Sequence, residues 1–206
     1  MIQDLNSIKH RIGEMAKLAL GMWQNTYQAF MEHDMDLLAS VLKKEHTLNE
    51  LEKEITEDLV ELGRSYISKG ERELVSIYAD VVGDLELIGD YCKDILERVQ
   101  IKIEEKLLFS EEAVGEYTDL YKKTEEALRQ TTTALEKDDL SLVQVVLKNE
   151  EHIDGLVDEY RRRHNQRLIE GLCSPLSCNM FLNMLDFTAA VYYHAKKISR
   201  SLLKIK

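Results

Sequence analysis

The side chains with the clearest capacity for chemistry are carboxylates set at four-residue intervals. Glu86, Asp90 and Asp94 fall four apart, which on a helix lays three negative charges along one stripe. Like charges at that spacing repel by about a few tenths of a kcal/mol per pair. A divalent or trivalent cation relieves the repulsion, because carboxylate oxygens at i and i+4 can converge on one hard ion or bridge two. Glu45 with Asn49, and Glu150 with Asp154, repeat the spacing elsewhere in the chain. Two helices offering such pairs side by side make a better oxygen-rich site than one. Spacing alone is also met by a solvated acidic face on an acidic protein, which is the simpler reading.

Other chemistries are poorly represented. None of the six histidines lies three residues after a glutamate, so the Glu-x-x-His pattern of di-iron oxidases is absent. That weighs against redox enzymology, and there is no glycine-rich phosphate loop, HExxH helix or GxSxG elbow either. Cys92, Cys173 and Cys178 form an odd, sparse set without CxxC spacing, which fits small buried or half-buried thiols in a reducing cytosol better than a disulfide framework or a zinc ribbon. Arg161, Arg162, Arg163, His164 and Arg167 cluster near an expected helix end, where cations offset the helix dipole; a local anion or partner contact is the other reading. His194, among Tyr192, Tyr193 and Lys196, reads as a packed or surface histidine rather than a ligand.

The elements that must position these groups are helices. One proline and nine glycines in 206 residues leave long uninterrupted stretches dominated by Leu, Glu, Lys and Ala, all good helix formers except at breakers. A formal net charge of -11 disfavours attraction to nucleic acid or anionic lipid. No apolar run approaches the roughly 20 residues that cross a bilayer, and the opening MIQDLNSIKHRIGEMAKL lacks the basic-then-apolar order of a signal peptide.

The chain is internally repeated. Laying residues 29–54 on 134–159 gives nine identities in 26 pairs, including Val41-Leu42-Lys43 on Val146-Leu147-Lys148 and Glu45 on Glu150, an offset of 105 (150 − 45). Each copy divides into three helices. Asp34 and Asp139 are placed to cap the second helix of their copies; Gly70 is read as ending the second helix of copy one, and Ser110 as opening copy two. Ser174-Pro175 supplies a cap and a first-turn proline for the last helix. In the third helix of copy one, Leu74, Tyr78, Val81, Leu85, Ile88, Cys92, Ile95 and Val99 recur at steps of four and three, a bundle seam. The expected fold is all-α: two tandem antiparallel three-helix bundles of spectrin-repeat-like form, over residues 1–106 and 107–206.

The segment Asp84-Leu85-Glu86-Leu87-Ile88-Gly89-Asp90 closely resembles the D-L-E-R-I-G-D signature of the PhoU family, whose members are tandem three-helix bundles. The stretch Gly171-Leu172-Cys173-Ser174-Pro175, leading to His194-Ala195, resembles the PhoU-like cytosolic domain of bacterial sodium/phosphate cotransporters. The resemblance implies metal ions (Fe, Zn, Mn or Mg) on carboxylates of the second and third helices: Glu45, Glu86 and Asp90 in copy one, Glu150 and Asp154 in copy two. Asn49 departs from the pattern, as do Leu87 and, in copy two, Ala189 and Tyr193 at the two acidic positions. It further implies a non-catalytic regulator of phosphate homeostasis, cytoplasmic or at the inner face of the membrane. The implied partners are a phosphate transporter, the membrane domain of a cotransporter or a sensor kinase, with homo-oligomerisation open. A helical scaffold without metal and a carboxylate-bridged metal enzyme are the alternatives.

Overall fold

The computed structural model describes residues 5–65, 67–148 and 150–205, and these are helical apart from short connections. The helices are α1 (Leu5–Glu32), α2 (Met35–Arg64), α3 (Lys69–Glu104), α4 (Glu111–Lys137), α5 (Leu140–Lys148), α6 (Glu150–Ile169) and α7 (Pro175–Leu202). Flanking position 149, α5 and α6 together take in the second unit the place that α2 takes in the first. The fold is all-α, as the breakers and periodicities predict.

The repeat reaches down to single dihedral angles. His33 and Asp138, 105 positions apart (138 − 33), both adopt the left-handed conformation at φ 55, a backbone state that costs a non-glycine residue roughly 1–2 kcal/mol. The next residue in each copy is the expected aspartate. Asp34 Oδ1 accepts from the Asp36 amide at 2.8 Å and Asp139 Oδ1 from the Ser141 amide at 3.0 Å. These bonds satisfy amides that the first turn leaves unpaired. Ser110 and Ser174 cap α4 and α7 through the amides of Ala113 (3.2 Å) and Ser177 (3.1 Å), with Pro175 in the first turn of α7.

Gly70 does not end α2. That helix stops at Arg64, and Gly70 lies in the first turn of α3. The reason is a reciprocal cap: Ser68 Oγ accepts from the Glu71 amide at 3.2 Å while Glu71 returns a carboxylate to the Ser68 amide at 2.7 Å. Two satisfied donors outweigh the one unfavourable glycine. The arginine cluster is likewise placed differently: Arg161, Arg162 and Arg163 fall in mid-helix in α6 and only Arg167 in its last turn. Arg161 pairs with Asp186, Arg163 with Glu159 and Arg167 with Glu116.

The two units meet through like helices. α1 packs on α4 and α3 on α7, while among the described residues α2 packs against α1 and α3 alone. The outcome is a central four-helix bundle of α1, α3, α7 and α4 with the second helices on its outer flanks and one continuous apolar core. All of the seam residues of α3 are buried except Leu74, which is half-buried. Between α1 and α4 the Trp23 and Tyr27 rings stack on Tyr121 at 5.0 and 4.1 Å. In the third helices Ala189 and Tyr193 match Glu86 and Asp90 at an offset of 103 (189 − 86), and between α3 and α7 that offset becomes a physical near-symmetry. Asp84, 1% exposed, accepts from His194 Nδ1 and from Lys197 Nζ, both at 2.9 Å. The matching positions, Phe187 (84 + 103) and Tyr91 (194 − 103), form an aromatic pair at 6.0 Å.

Gly89 determines how close α2 comes to α3. A Cβ built there would sit 2.2 Å from Leu48 Cδ2 and 3.6 Å from Met22 Cε, and both of those side chains are fully buried. Gly83, on the same helix, has no neighbour within 4 Å of such a Cβ. The two alanine substitutions therefore have opposite signs. Gly89→Ala lowers stability by about 1–3 kcal/mol through overpacking, whereas Gly83→Ala raises it by about 0.5–1 kcal/mol through helix propensity. Urea unfolding of the two variants beside the parent chain measures both; equal shifts in one direction would contradict the close approach at Gly89.

Candidate functional site

The tight contact at Gly89 draws the polar edges of α2 and α3 together on the outer flank of the first unit. Glu45, Asn49 and Glu52 line the α2 side and Glu86, Asp90 and Lys93 the α3 side; all six are half-buried. Their spacings of four and three keep each set on one face of its helix. Glu86 is the most strained member electrostatically. Burial first, then the charges of Asp90, Glu52 and Glu45 and a hydrogen-bonding approach to Asp90, push its carboxyl pKa above the ordinary value.

One side of the groove already has a cation. Glu45 Oε1 accepts from Lys93 Nζ at 3.2 Å and from Asn49 Nδ2 at 3.0 Å, and the Glu45 hydrogen bond and charge raise the pKa of the Lys93 ammonium. The Oδ1 atom of Asn49 is buried without a hydrogen-bond partner. A buried carbonyl oxygen left unpaired costs about 1–3 kcal/mol. Together with crowded carboxylates it forms a donor set of hard oxygens suited to a hard cation. The carboxylates share the groove without gathering within 4.8 Å of one another, and Lys93 already holds Glu45, so an ion there requires the side chains to close in and Lys93 to let go. Asp94 continues the stripe but stands apart: its pKa is raised by burial and by Glu97, and held back by Arg98 and Lys93.

The second unit offers less. Asp154 is exposed, and the matched positions on α7 are Ala189, half-buried, and Tyr193, exposed. The side chain of Glu150 lies outside the described residues. The structure thus brings Glu45, Glu86 and Asp90 into one groove and has no acidic residue at the matched positions of α7, whose Asp186 pairs with Arg161 instead. Glu52 and Lys93 belong to the groove although spacing did not single them out. Glu52 was legible, since it lies seven residues after Glu45 on the same helical face. Lys93, three residues after Asp90, becomes significant only once α2 is known to lie across from it.

A tandem three-helix-bundle protein with an acidic groove on its first unit is the class that this geometry defines. The PhoU domain family matches residues 12–99. The phosphate-specific transport system accessory protein PhoU homolog 1 of Thermotoga maritima is 30% identical over 95 residues, which are 46% of this chain and 38% of that protein. The PhoU homolog of Aquifex aeolicus is 22% identical over 163 residues, 79% of this chain and 72% of its own. Among solved structures, PhoU from Pseudomonas aeruginosa superposes with a TM-score of 0.91 at 19% identity, covering 98% of this chain and 96% of that one. The phosphate transport system regulatory protein PhoU from Streptococcus pneumoniae gives 0.84 at 16% identity, covering 98% and 94%. Residues 12–99 match the PhoU domain family, and the chain as a whole has the fold of the solved PhoU structures. Among the described residues no helix is long and apolar enough to cross a membrane.

The raised pKa of Glu86 has a signed consequence for stability. The folded chain takes up this proton at a higher pH than the unfolded chain, so stability rises as pH falls through the folded pKa and levels off below the ordinary glutamate value. In chelator, Glu86→Gln removes that part of the pH slope and is more stable than the parent at neutral pH, by about a few tenths of a kcal/mol for each relieved like-charge pair. Thermal melts across the acidic to neutral range report both; an unaltered slope would show that Glu86 is not under strain from its neighbours.

Proposed function

We propose that the chain is a non-catalytic regulator of phosphate transport in the cytoplasm, acting at the inner face of the membrane by contact with a phosphate transporter or its sensor kinase. The observation that carries this reading is the PhoU domain over residues 12–99, supported by relatives named as accessory proteins of phosphate-specific transport. The form of the work follows from the fold. The core is filled by side chains, and the crowded carboxylates Glu45, Glu86 and Asp90 sit on the outer flank of α2 and α3, half-buried, where a partner can reach them. A finer version of the same reading makes the chain the cytosolic regulatory domain of a sodium/phosphate cotransporter.

Within this reading the first unit binds metal through Glu45, Glu86 and Asp90, with the Asn49 carbonyl as a fourth oxygen. An iron, zinc, manganese or magnesium ion bound there supplies positive charge that cross-links α2 to α3. The protein's own part is to hold the carboxylates within reach by the Gly89 contact and to release Lys93 from Glu45. Glu150 and Asp154 would form a weaker, one-sided pair on the second unit. The Lys93–Glu45 ion pair favours the alternative of an interaction scaffold without metal, because a tethered ammonium already answers part of the acidic charge.

Two measurements separate these outcomes. Removing the gene raises phosphate uptake in phosphate-replete cells, and the intact chain restores the restraint; crosslinking in the same cells recovers a phosphate permease, cotransporter or sensor kinase. Recovery of none of them, with uptake unchanged, would sink the regulatory reading. Metal content of chain purified without chelator, for the parent and for the Glu86→Ala, Asp90→Ala double variant, tests the ion: loss of bound metal in the variant supports it, and no bound metal in the parent selects the scaffold.

A further inference from the structure

A second donor set lies on the other unit, at the connection between α6 and α7, and its chemistry is sulfur and nitrogen rather than oxygen. One ring nitrogen of His164 and the Sγ atoms of Cys173 and Cys178 all lie within 4.8 Å of one another. His164 and Cys178 are each 1% exposed, Cys173 is half-buried, and both cysteines are free thiols. Nδ1 of His164 faces Arg167 Nη2 at 3.0 Å, which places the ring proton on Nε2. That Nε2 atom is buried and meets no hydrogen-bond partner.

The backbone fixes the three donors independently of one another. α6 closes with Gly171 in the left-handed conformation at φ 72, the Leu172 amide bonding the Arg167 carbonyl at 2.9 Å and the Gly171 amide the Leu168 carbonyl at 3.1 Å. This is the paired closure of a Schellman motif. Ser174 then caps α7 through the Ser177 amide at 3.1 Å. Cys173 is held between these two stops, and Cys178 sits in the first turns of α7. His164 is fixed from its face by Phe181, with ring centroids 4.1 Å apart and planes at 20°.

We propose that His164, Cys173 and Cys178 bind a zinc ion that staples the end of α6 to the start of α7, with the fourth tetrahedral position left for water or a partner's donor. Two thiolates and an imidazole suit a borderline d10 ion and are poor ligands for magnesium or calcium. Zinc–sulfur bonds of about 2.3 Å and a zinc–nitrogen bond of about 2.0 Å require only a small contraction of the cluster. Binding displaces one proton from each thiol, so the ion with its two thiolates is electrically neutral. Arg167 adds no net charge, because it pairs with the buried Glu116. Ligation through Nε2 moves the ring proton to Nδ1 and gives up the Arg167 hydrogen bond, while the guanidinium keeps its carboxylate. The site shares no residue with the acidic groove of the first unit and stands whether or not that groove binds metal.

The test uses the full chain, reduced and stripped of metal, titrated with zinc and with cobalt(II) as a spectroscopic stand-in. The expected result is one cobalt per chain giving a sulfur-to-cobalt charge-transfer band and tetrahedral d–d absorption, both displaced by zinc. Zinc should also protect two thiols from alkylation. Cys173→Ser, a conservative change at a half-buried connection, leaves one thiolate, so the charge-transfer band loses about half its intensity or more and zinc binding weakens by at least the roughly 10–100-fold that loss of a supporting group costs. His164→Gln keeps both thiolates but weakens binding to the same extent, with metal-free melting as its folding control. Glu86→Ala with Asp90→Ala leaves the band intact, which separates this site from the groove. The proposal is overturned by a parent chain with no charge-transfer band, by equal zinc affinity in Cys173→Ser, or by a Cys173–Cys178 disulfide that forms in air at the same rate with zinc as without.

Discussion

The helix α3 has to bury three faces at once, against α1, α2 and α7, and the demands of those faces fix the rest of the molecule. At 36 residues it is about 54 Å long, so a single rotation about its axis sets every contact along it. The apolar seam from Tyr78 to Val99 settles that rotation by burial. Once it is settled, Asp84 must face α7, Gly89 must face Leu48 of α2, and Glu86 and Asp90 must lie along the edge where α2 crosses. A buried aspartate in the first of these places is strongly destabilising without partners. His194 and Lys197 supply them, and so fix the register of the second unit against the first.

That dependence explains what could be read in the sequence. The helices, the seam, the Asp34 and Asp139 caps and the 105-residue repeat are all local or periodic features, and each follows from groups within a turn or two of one another. The signature residues Glu86 and Asp90 were legible for the same reason. Lys93 and the Asp84–His194 pair were not, because each matters only through a neighbour 48 or 110 positions away. Gly70 misled because a glycine is a helix stop only when nothing better offers itself. Here the Ser68–Glu71 reciprocal cap begins α3 and carries the glycine inside it.

The two units have kept the same backbone and exchanged their chemistry. Their third helices meet in two related contacts, one polar between Asp84 and His194, the other aromatic between Tyr91 and Phe187. The aromatic contact needs no charge compensation and tolerates small shifts, whereas the polar one is directional. The acidic groove survives on α3, where Glu86 and Asp90 face Glu45. On α7 the equivalent edge carries Ala189 and Tyr193, and the donor atoms that lie close together are found instead near its N-terminal end, in Cys178 with Cys173 and His164. A repeat that is symmetric in fold is therefore asymmetric in the side chains each half gathers.

The groove on α3 is compensated, but weakly. Lys93 is 39% exposed and Glu45 13% in side-chain terms, and an ion pair this open contributes about 1 kcal/mol or less. It answers Glu45 first and Asp90 less, whereas Glu86 is raised by burial first and then by Asp90, Glu52 and Glu45, with no cation among the causes. The residual repulsion is concentrated where the helices are held closest by Gly89. Moving α2 away would lower it, but only by opening the Leu48–Met22–Gly89 contact, and packed apolar surface is lost faster with separation than partly screened charge repulsion is relieved. The core therefore holds the carboxylates of α2 and α3 along one groove against their own charge.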